Sequence, residues 1–292
     1  MCLIVSFTTV LNMENRDLSI VIPFQYGGSK WENNELRYTL RSLSSNLNFN
    51  YDITIYSDKP IDWLKNVRVE VVDRYYPKQA LKKFNNIPHY ENFYDTLNKL
   101  RVISNDVELC EDILYVYDDI LLMKPQNLEQ IKVLYAGSRF EANKEYWLNP
   151  GNNKWKNTIF NSIRKARGFG EVFIYETHLP RHYQKSKIKE MFKMFPIDQM
   201  DIPYAPATLY FNMFYNKPNK VYAEIDAKDN DVKAGFYGPS GMAGDSFLSK
   251  TKEEVESAVV GKTWINYSDA GLTEHLKEFI QKQYPKKCKF ER

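Results

Sequence analysis

Residues 113–125 read "ILYVYDDILLMKP", an apolar run broken by two adjacent acids, Asp118 and Asp119. Tyr115, Val116 and Tyr117 suit a strand. A strand covered on both faces reads as a continuous apolar run, as this one does up to the acids. Burying an unpaired charge costs several kcal/mol. The two carboxylates are therefore expected where the strand emerges, at its C-terminal end. In open α/β sheets that edge is where ligands bind. The plainer alternative is a strand-end turn with solvated acids.

The segments around this run alternate in type. "LSIVIPF" (18–24) reads as a buried first strand, followed by a loop, "QYGGSKWENN". "ELRYTLRSLSSNL" then sets Leu36, Leu40, Leu43 and Leu47 on one helical face. "YDITIYSD" (51–58) and "VRVEVVD" (67–73) read as strands. "YENFYDTLNKLRVISND" reads as a helix with Phe93, Leu97, Leu100 and Ser104 inward. "DILYVYDD" is the fourth strand. A β-α-β-β-α-β order predicts an α/β fold with a largely parallel sheet and flanking helices. After Pro125 helices dominate. "NKWKNTIFNSIRKARG" is predicted to be capped at Gly168. "KSKIKEMFKMF" (185–195) stops at Pro196, and "PATLYFNMFYNKP" continues the series. "LTEHLKEFIQKQY" is a terminal helix with Leu272, Leu276, Phe279 and Ile280 on one face. "KVLYAG" and "KVYAEI" are further strand candidates. The expected division is a nucleotide-binding α/β half, 1–140, and a helical half, 141–292, packed over the cleft. The two are also compatible with one continuous domain.

A chain of 292 residues buries a large core. A net charge of +3 gives no basic surplus for nucleic acid. The 21 tyrosines and 17 phenylalanines suit a deep core first and a sugar-binding cleft second. Cys2, Cys110 and Cys288 show no metal-ligand spacing and fit a reduced, cytoplasmic chain. No segment has the roughly 20 apolar residues of a transmembrane span.

Adjacent carboxylates at the end of a fourth strand suit a hard cation. Mg²⁺ or Mn²⁺ takes one or two carboxylates together with phosphate oxygens, and a diphosphate leaving group needs such a cation. The arrangement resembles that of GT-A glycosyltransferases, whose Asp-x-Asp motif closes such a strand; here Tyr117 stands at the first position of that motif. Other candidates surround the pair. Arg37 and Arg41 share a face of the first helix, and Arg37 is placed to meet an anionic ligand. Asp58 ends the second strand, where it is expected to bond a base or ribose. Lys99, like Arg101, lies on the helix before the acid strand and is a candidate for the diphosphate; a solvated helix face is the alternative. His178 and His182 fall in a Pro-containing loop, "YETHLPRHY", as a base or a metal ligand. His89 lies in a loop without a supporting pattern, and His275 is read as structural.

Several segments, in order, resemble the Stealth family, the hexose-1-phosphate transferases of bacterial capsules and of lysosomal enzyme tagging. "NNELRYTLRSLSSNLNFNYDITIYSDKPIDWL" is similar to the family's second block. "LYVYDDILL" stands where the family carries an acid pair. "THLPRHYQKSKIKEMFKMFP" resembles the third block and "WINYSD…LKEFIQKQYPKKCKFE" the fourth. The likeness spans roughly residues 32 to 291. "IVIPFQYGG" replaces the family's first block. No Arg occurs in "MDIPYAP", and Asn266-Tyr267 replaces an Asn-Asp pair. The resemblance implies Asp118, Asp119, His178 and Asn266 as site positions. The expected function is a metal-dependent transferase. It moves a sugar or sugar phosphate from a nucleotide-diphosphate sugar to a glycan or other hydroxyl acceptor. The alternatives are a glycan-binding protein on a decayed transferase scaffold and a DNA-modifying glycosyltransferase, the latter disfavoured by the charge.

Overall fold

The computed structural model describes residues 16–27, 29, 31–77, 88–132, 136–141, 144–151, 153–176, 179–215, 220–221, 234–237, 251–259, 262–267 and 272–292. The first half runs β1 (Leu18–Phe24), α1 (Asn34–Asn46), β2 (Tyr51–Ser57), β3 (Arg68–Val71), α2 (Pro88–Asn105), β4 (Asp112–Tyr115) and β5 (Ile120–Leu122). It continues through α3 (Leu128–Lys132), β6 (Ala136–Arg139), α4 (Lys144–Leu148), α5 (Lys154–Ala166), β7 (Phe173–Ile174), β8 (Arg181–Gln184) and α6 (Lys185–Met194). The last elements are α7 (Pro206–Phe214), β9 (Lys220–Val221), β10 (Ala234–Tyr237), α8 (Lys252–Val259), β11 (Trp264–Tyr267) and α9 (Glu274–Gln283).

The central sheet has the order β3-β2-β1-β4-β8. Its first four strands are parallel, and β8 joins the β4 edge antiparallel. The fold is thus α/β with a mostly parallel central sheet flanked by helices. Both sheet faces are covered, which is why β1 is almost wholly apolar. Leu18, Ile20, Ile22 and Phe24 face α1, in a cluster with Leu36, Leu40 and Leu43. Val21, Ile113 and Tyr115 face the other way, against Leu97, Leu100, Ile188 and Tyr210. That second cluster takes side chains from both sides of position 140 and holds Tyr56, Tyr94, Tyr183, Tyr204 and Tyr210. Much of the tyrosine surplus is therefore core.

Three expectations are corrected by the fold. The "LPRHYQ" segment is not all loop: Arg181–Gln184 is an edge strand of the main sheet, pairing Leu114 with His182 and Tyr115 with Arg181. The helix of residues 154–166 does not stop at Gly168. It tightens into a 3₁₀ turn over Arg167–Phe169, and Gly170, at φ 117°, breaks it, a conformation that side chains with a Cβ rarely adopt. His89 lies in the first turn of α2 rather than in a loop.

A smaller sheet, β10-β11-β5, grows out of the acid run. β5 starts immediately after Asp119 and pairs antiparallel with β11, so Asn266 faces Ile120. Among the described residues, no helix is long and apolar enough to cross a membrane.

Candidate active site

The strand order fixes where a ligand fits. The chain lays β2 and β3 on one side of β1, then crosses to place β4 on the other. Between the carboxyl ends of β1 and β4 the connections diverge, opening the crevice that α/β proteins use for ligands. Asp118 and Asp119 lie in the turn just past β4, both partly exposed. The acids therefore stand at the topological switch point.

The turn is braced from two sides. The Thr39 hydroxyl of α1 is placed to donate to the carbonyls of Asp118 and Ile120, at 2.7 and 2.8 Å. From β11, the Tyr267 amide donates to the Asp119 carbonyl at 3.3 Å. The carbonyls around Asp119 thus share one Thr39 hydroxyl proton and the Tyr267 amide, while the Asp119 carboxylate is partly exposed with its Oδ1 enclosed. Asn266, the residue before Tyr267, is buried to 2% exposure, and its amide nitrogen has no hydrogen-bond partner among the described residues. The small sheet thus brings Asp118, Asp119 and Asn266 together from distant parts of the sequence.

The other predicted residues fall around this centre in different ways. Asp58 follows β2 and accepts from the Tyr26 amide at 2.7 Å. It pins the loop after β1, beside the switch point. That loop carries left-handed backbone at two non-glycine residues, Glu32 (φ 54°) and Asn33 (φ 61°), local strain of a kind that gathers at functional sites. Lys99 reaches the carboxyl end of β1, where its ammonium donates to the Phe24 carbonyl at 2.9 Å. It is buried and paired with Asp95, also at 2.9 Å. Arg37 meets an anion, the chain's own Glu291, at 3.3 Å, and stacks 3.9 Å over the Trp63 ring. His182 lies within the sheet, its Nε2 2.9 Å from Asp112 at the opposite, amino end of β4. Burial lowers the pKa of that imidazole, against the pull of Asp112. His182 is not brought to the acid pair. His178 lies outside the described residues.

Three residues near the turn were not singled out in the sequence. Arg181 is 4% exposed and donates to the Tyr117 hydroxyl at 3.0 Å, with Glu176 3.4 Å away. Burial opposes its charge, yet Tyr117 and Glu176 hold its pKa above the ordinary arginine value. It thus places a fixed cation beside the residue that precedes the acids. Glu35 opens α1, is 5% exposed, and accepts from the Ser29 hydroxyl at 2.5 Å. Tyr267 is 1% exposed. Its pKa is pushed well up, first by burial and then by Glu35, Asp119 and Asp118. The signal available for Arg181 and Glu35 was a charged residue inside a segment whose other positions face the core.

The donor set suits a hard cation. Carboxylate oxygens are the ligands Mg²⁺ and Mn²⁺ prefer, and Mg²⁺ keeps coordination positions for water and phosphate. Among the described residues no group of three or more His, Cys, Asp or Glu side chains is arranged to hold a metal. The two acids fit an open site that phosphate oxygens complete, not a closed structural cage.

No family model matches the chain, and no curated protein matches it. Among solved structures it is similar in shape to the galactosyltransferase LgtC in complex with donor and acceptor sugar analogs. The TM-score is 0.49 at 12% identity, over 91% of this chain and 95% of that one. It is also similar to the bifunctional glycosyltransferase WbbM in its apo form, with a TM-score of 0.45 at 10% identity, over 94% of this chain and 52% of that one.

Proposed function

We propose that the chain is a cytoplasmic, metal-dependent transferase of glycosyltransferase type. It moves a sugar, or a sugar phosphate, from a nucleotide-diphosphate sugar to a hydroxyl on a glycan or another acceptor. The observation that carries this reading is the position of Asp118 and Asp119 at the switch point, with Asn266 brought beside their turn by β11. Mg²⁺ or Mn²⁺, held by Asp118 and Asp119, supplies charge neutralisation for the diphosphate. The rest of the work falls to the chain. Asp58 orders the loop that borders the donor pocket, and Asn266 offers an amide at the reacting end. His178 is assigned as the base that takes the acceptor hydroxyl's proton. Attack at the anomeric carbon forms a C–O bond and releases a nucleoside diphosphate. Attack at the β-phosphorus, the route of Stealth-like enzymes, forms a P–O bond and releases a nucleoside monophosphate.

Thermal shift against a panel of nucleotide sugars, with and without Mn²⁺, tests this. A ligand at about 100 times its Kd stabilises by about 2.7 kcal/mol, a shift of several degrees. Mass spectrometry of the released nucleotide then separates the two routes. Asp119→Asn keeps the shape, removes a charged ligand, and is expected to abolish the Mn²⁺-dependent part of the shift. The proposal fails if no nucleotide sugar stabilises the chain, or if Asp119→Asn matches the wild type with and without metal.

A further inference from the structure

One polar group beside the acid turn is enclosed with nothing to bond. The Tyr267 hydroxyl has no hydrogen-bond partner among the described residues. The residue is 1% exposed, its ring packed with Trp31, Tyr38, Ile265 and Leu276. Folded proteins seldom leave a buried hydroxyl so, because it has given up water for nothing. Such a group is either a plain loss or waits for a partner that another state supplies.

The surroundings say which partner. Tyr267 is joined through its own amide to the Asp119 carbonyl. Glu35 lies one turn before Thr39 on the same face of α1, and Thr39 grips the carbonyls of Asp118 and Ile120. Burial pushes the phenol's pKa up first, and the carboxylates of Glu35, Asp119 and Asp118 push it in the same direction. A phenol O–H donates and a carboxylate accepts. Both aspartates are partly exposed, while the phenol is sealed. A bond from the phenol to either carboxylate would therefore come from the protein side.

Carboxylates that bind a metal through one oxygen are commonly held by a hydrogen bond from behind, which sets their orientation. We propose that Tyr267 is the positioning residue of the acid pair. With a divalent cation held by Asp118 and Asp119, the phenol would donate to a carboxylate oxygen of the pair and so fix its orientation. Glu35, fixed by Ser29, adds a third negative charge nearby and strengthens the pull on the cation. The inference rests on the metal-dependent reading given above, and it names residues that the acid run by itself does not reveal.

The test is Mn²⁺ binding to the intact chain, the metal alone and then with UDP, followed by electron paramagnetic resonance. Tyr267→Phe keeps the ring and removes only the hydroxyl. Mn²⁺ affinity is expected to fall about 10- to 100-fold. The melting temperature of the metal-free variant is expected to equal or exceed that of the wild type, because an unmet donor has gone. Glu35→Gln should weaken Mn²⁺ binding severalfold through charge alone. Equal affinity of Tyr267→Phe and wild type for Mn²⁺ overturns the inference and leaves the proposed function standing. A metal-free melting temperature several degrees below wild type also overturns it, because the hydroxyl then has a structural partner. A wild type that binds no Mn²⁺ under either condition removes the metal-dependent function and this inference together.

Discussion

Glu291→Gln is the substitution with the most directly worked consequence. The Glu291 side chain is fully buried near the end of the chain, between two arginines of α1. Arg41 grips it with both arms of its fork, Nε at 2.6 Å and Nη2 at 2.8 Å, and Arg37 adds a third contact at 3.3 Å. The Cys288 amide donates to the same carboxylate at 3.1 Å. Behind it the tail is tied to the segment after β2, with Lys65 donating to the Phe290 carbonyl at 3.0 Å and Arg292 to the Trp63 carbonyl at 2.9 Å. Breaking a buried ion pair costs about 3–5 kcal/mol. Gln keeps the shape and one acceptor, and both arginines retain some contact with water, so about 2–3 kcal/mol is expected here. In a chain of 292 residues that lowers the melting temperature by roughly 3–5 °C. Burial pushes the carboxyl pKa up, but the Arg41 hydrogen bonds outweigh it and hold the group below its ordinary value. A depressed carboxyl stabilises the fold above its unfolded pKa, and that contribution is lost as pH falls through the folded one. The gap between wild type and variant should be full at pH 7 and shrink below about pH 4. Thermal melts from pH 7 to pH 3 measure it. Equal melting at pH 7, or a gap undiminished by acid, would refute the latch. The same variant tests Arg37: if its role is this latch, nucleotide-sugar affinity measured well below the melting temperature stays unchanged. A tenfold change would return Arg37 to the donor pocket.

Two further outcomes follow from the sheet and the turn. Thr39→Val keeps the side-chain shape but strips the one hydroxyl donor shared by the Asp118 and Ile120 carbonyls; it should cost about 1–3 kcal/mol in urea unfolding and lower turnover beyond what stability explains. His182→Gln removes an imidazole whose pKa burial holds below 6.5. A base depressed in the folded state makes the wild type lose stability as pH falls below about 6.5, down to its folded pKa. The variant should lose that slope, and pH-dependent melts that stay superimposable would refute the claim that burial holds this imidazole neutral.

The reach of the sequence was uneven, for physical reasons. The four parallel strands and the exit of the acids showed plainly, because a strand covered on both faces has to be apolar and a charge has to leave it. β5 is three residues long, and its partner β11 comes from the far end of the chain, so no local pattern announced their pairing. β8 was obscured by its chemistry. "RHYQ" is polar and follows a proline, yet Arg181 and His182 are accommodated inside the sheet because Tyr117, Glu176 and Asp112 satisfy them. Tertiary partners paid the desolvation that residue type alone predicts. For Arg37, residue type predicted an anionic partner without saying whose; the fold supplies Glu291.

The composition of α1 ties these observations together. Thr39, Ser42 and Asn46 are mediocre helix formers, and a helix chosen for propensity alone would replace them. Their spacing places them on one stripe that runs along the edge of β5 not paired with β11. Thr39 bonds the Asp118 and Ile120 carbonyls, Ser42 accepts from the Leu122 amide at 3.0 Å, and Asn46 donates to the Leu122 carbonyl at 2.7 Å. Side chains of a helix thus satisfy the strand backbone where another strand would ordinarily do so. A second face, Leu36, Leu40 and Leu43, is buried against the central sheet. A third, Arg37 and Arg41, holds the tail through Glu291. Glu35 begins the polar stripe one turn before Thr39, where β5 has ended and the acid turn begins. With no strand carbonyl or amide left to serve there, a carboxylate takes the position, beside Tyr267 and the two aspartates. The helix that buries β1 therefore also sets the backbone of the turn and adds to its charge, so the placement of the acids and the packing of the core depend on the same thirteen residues.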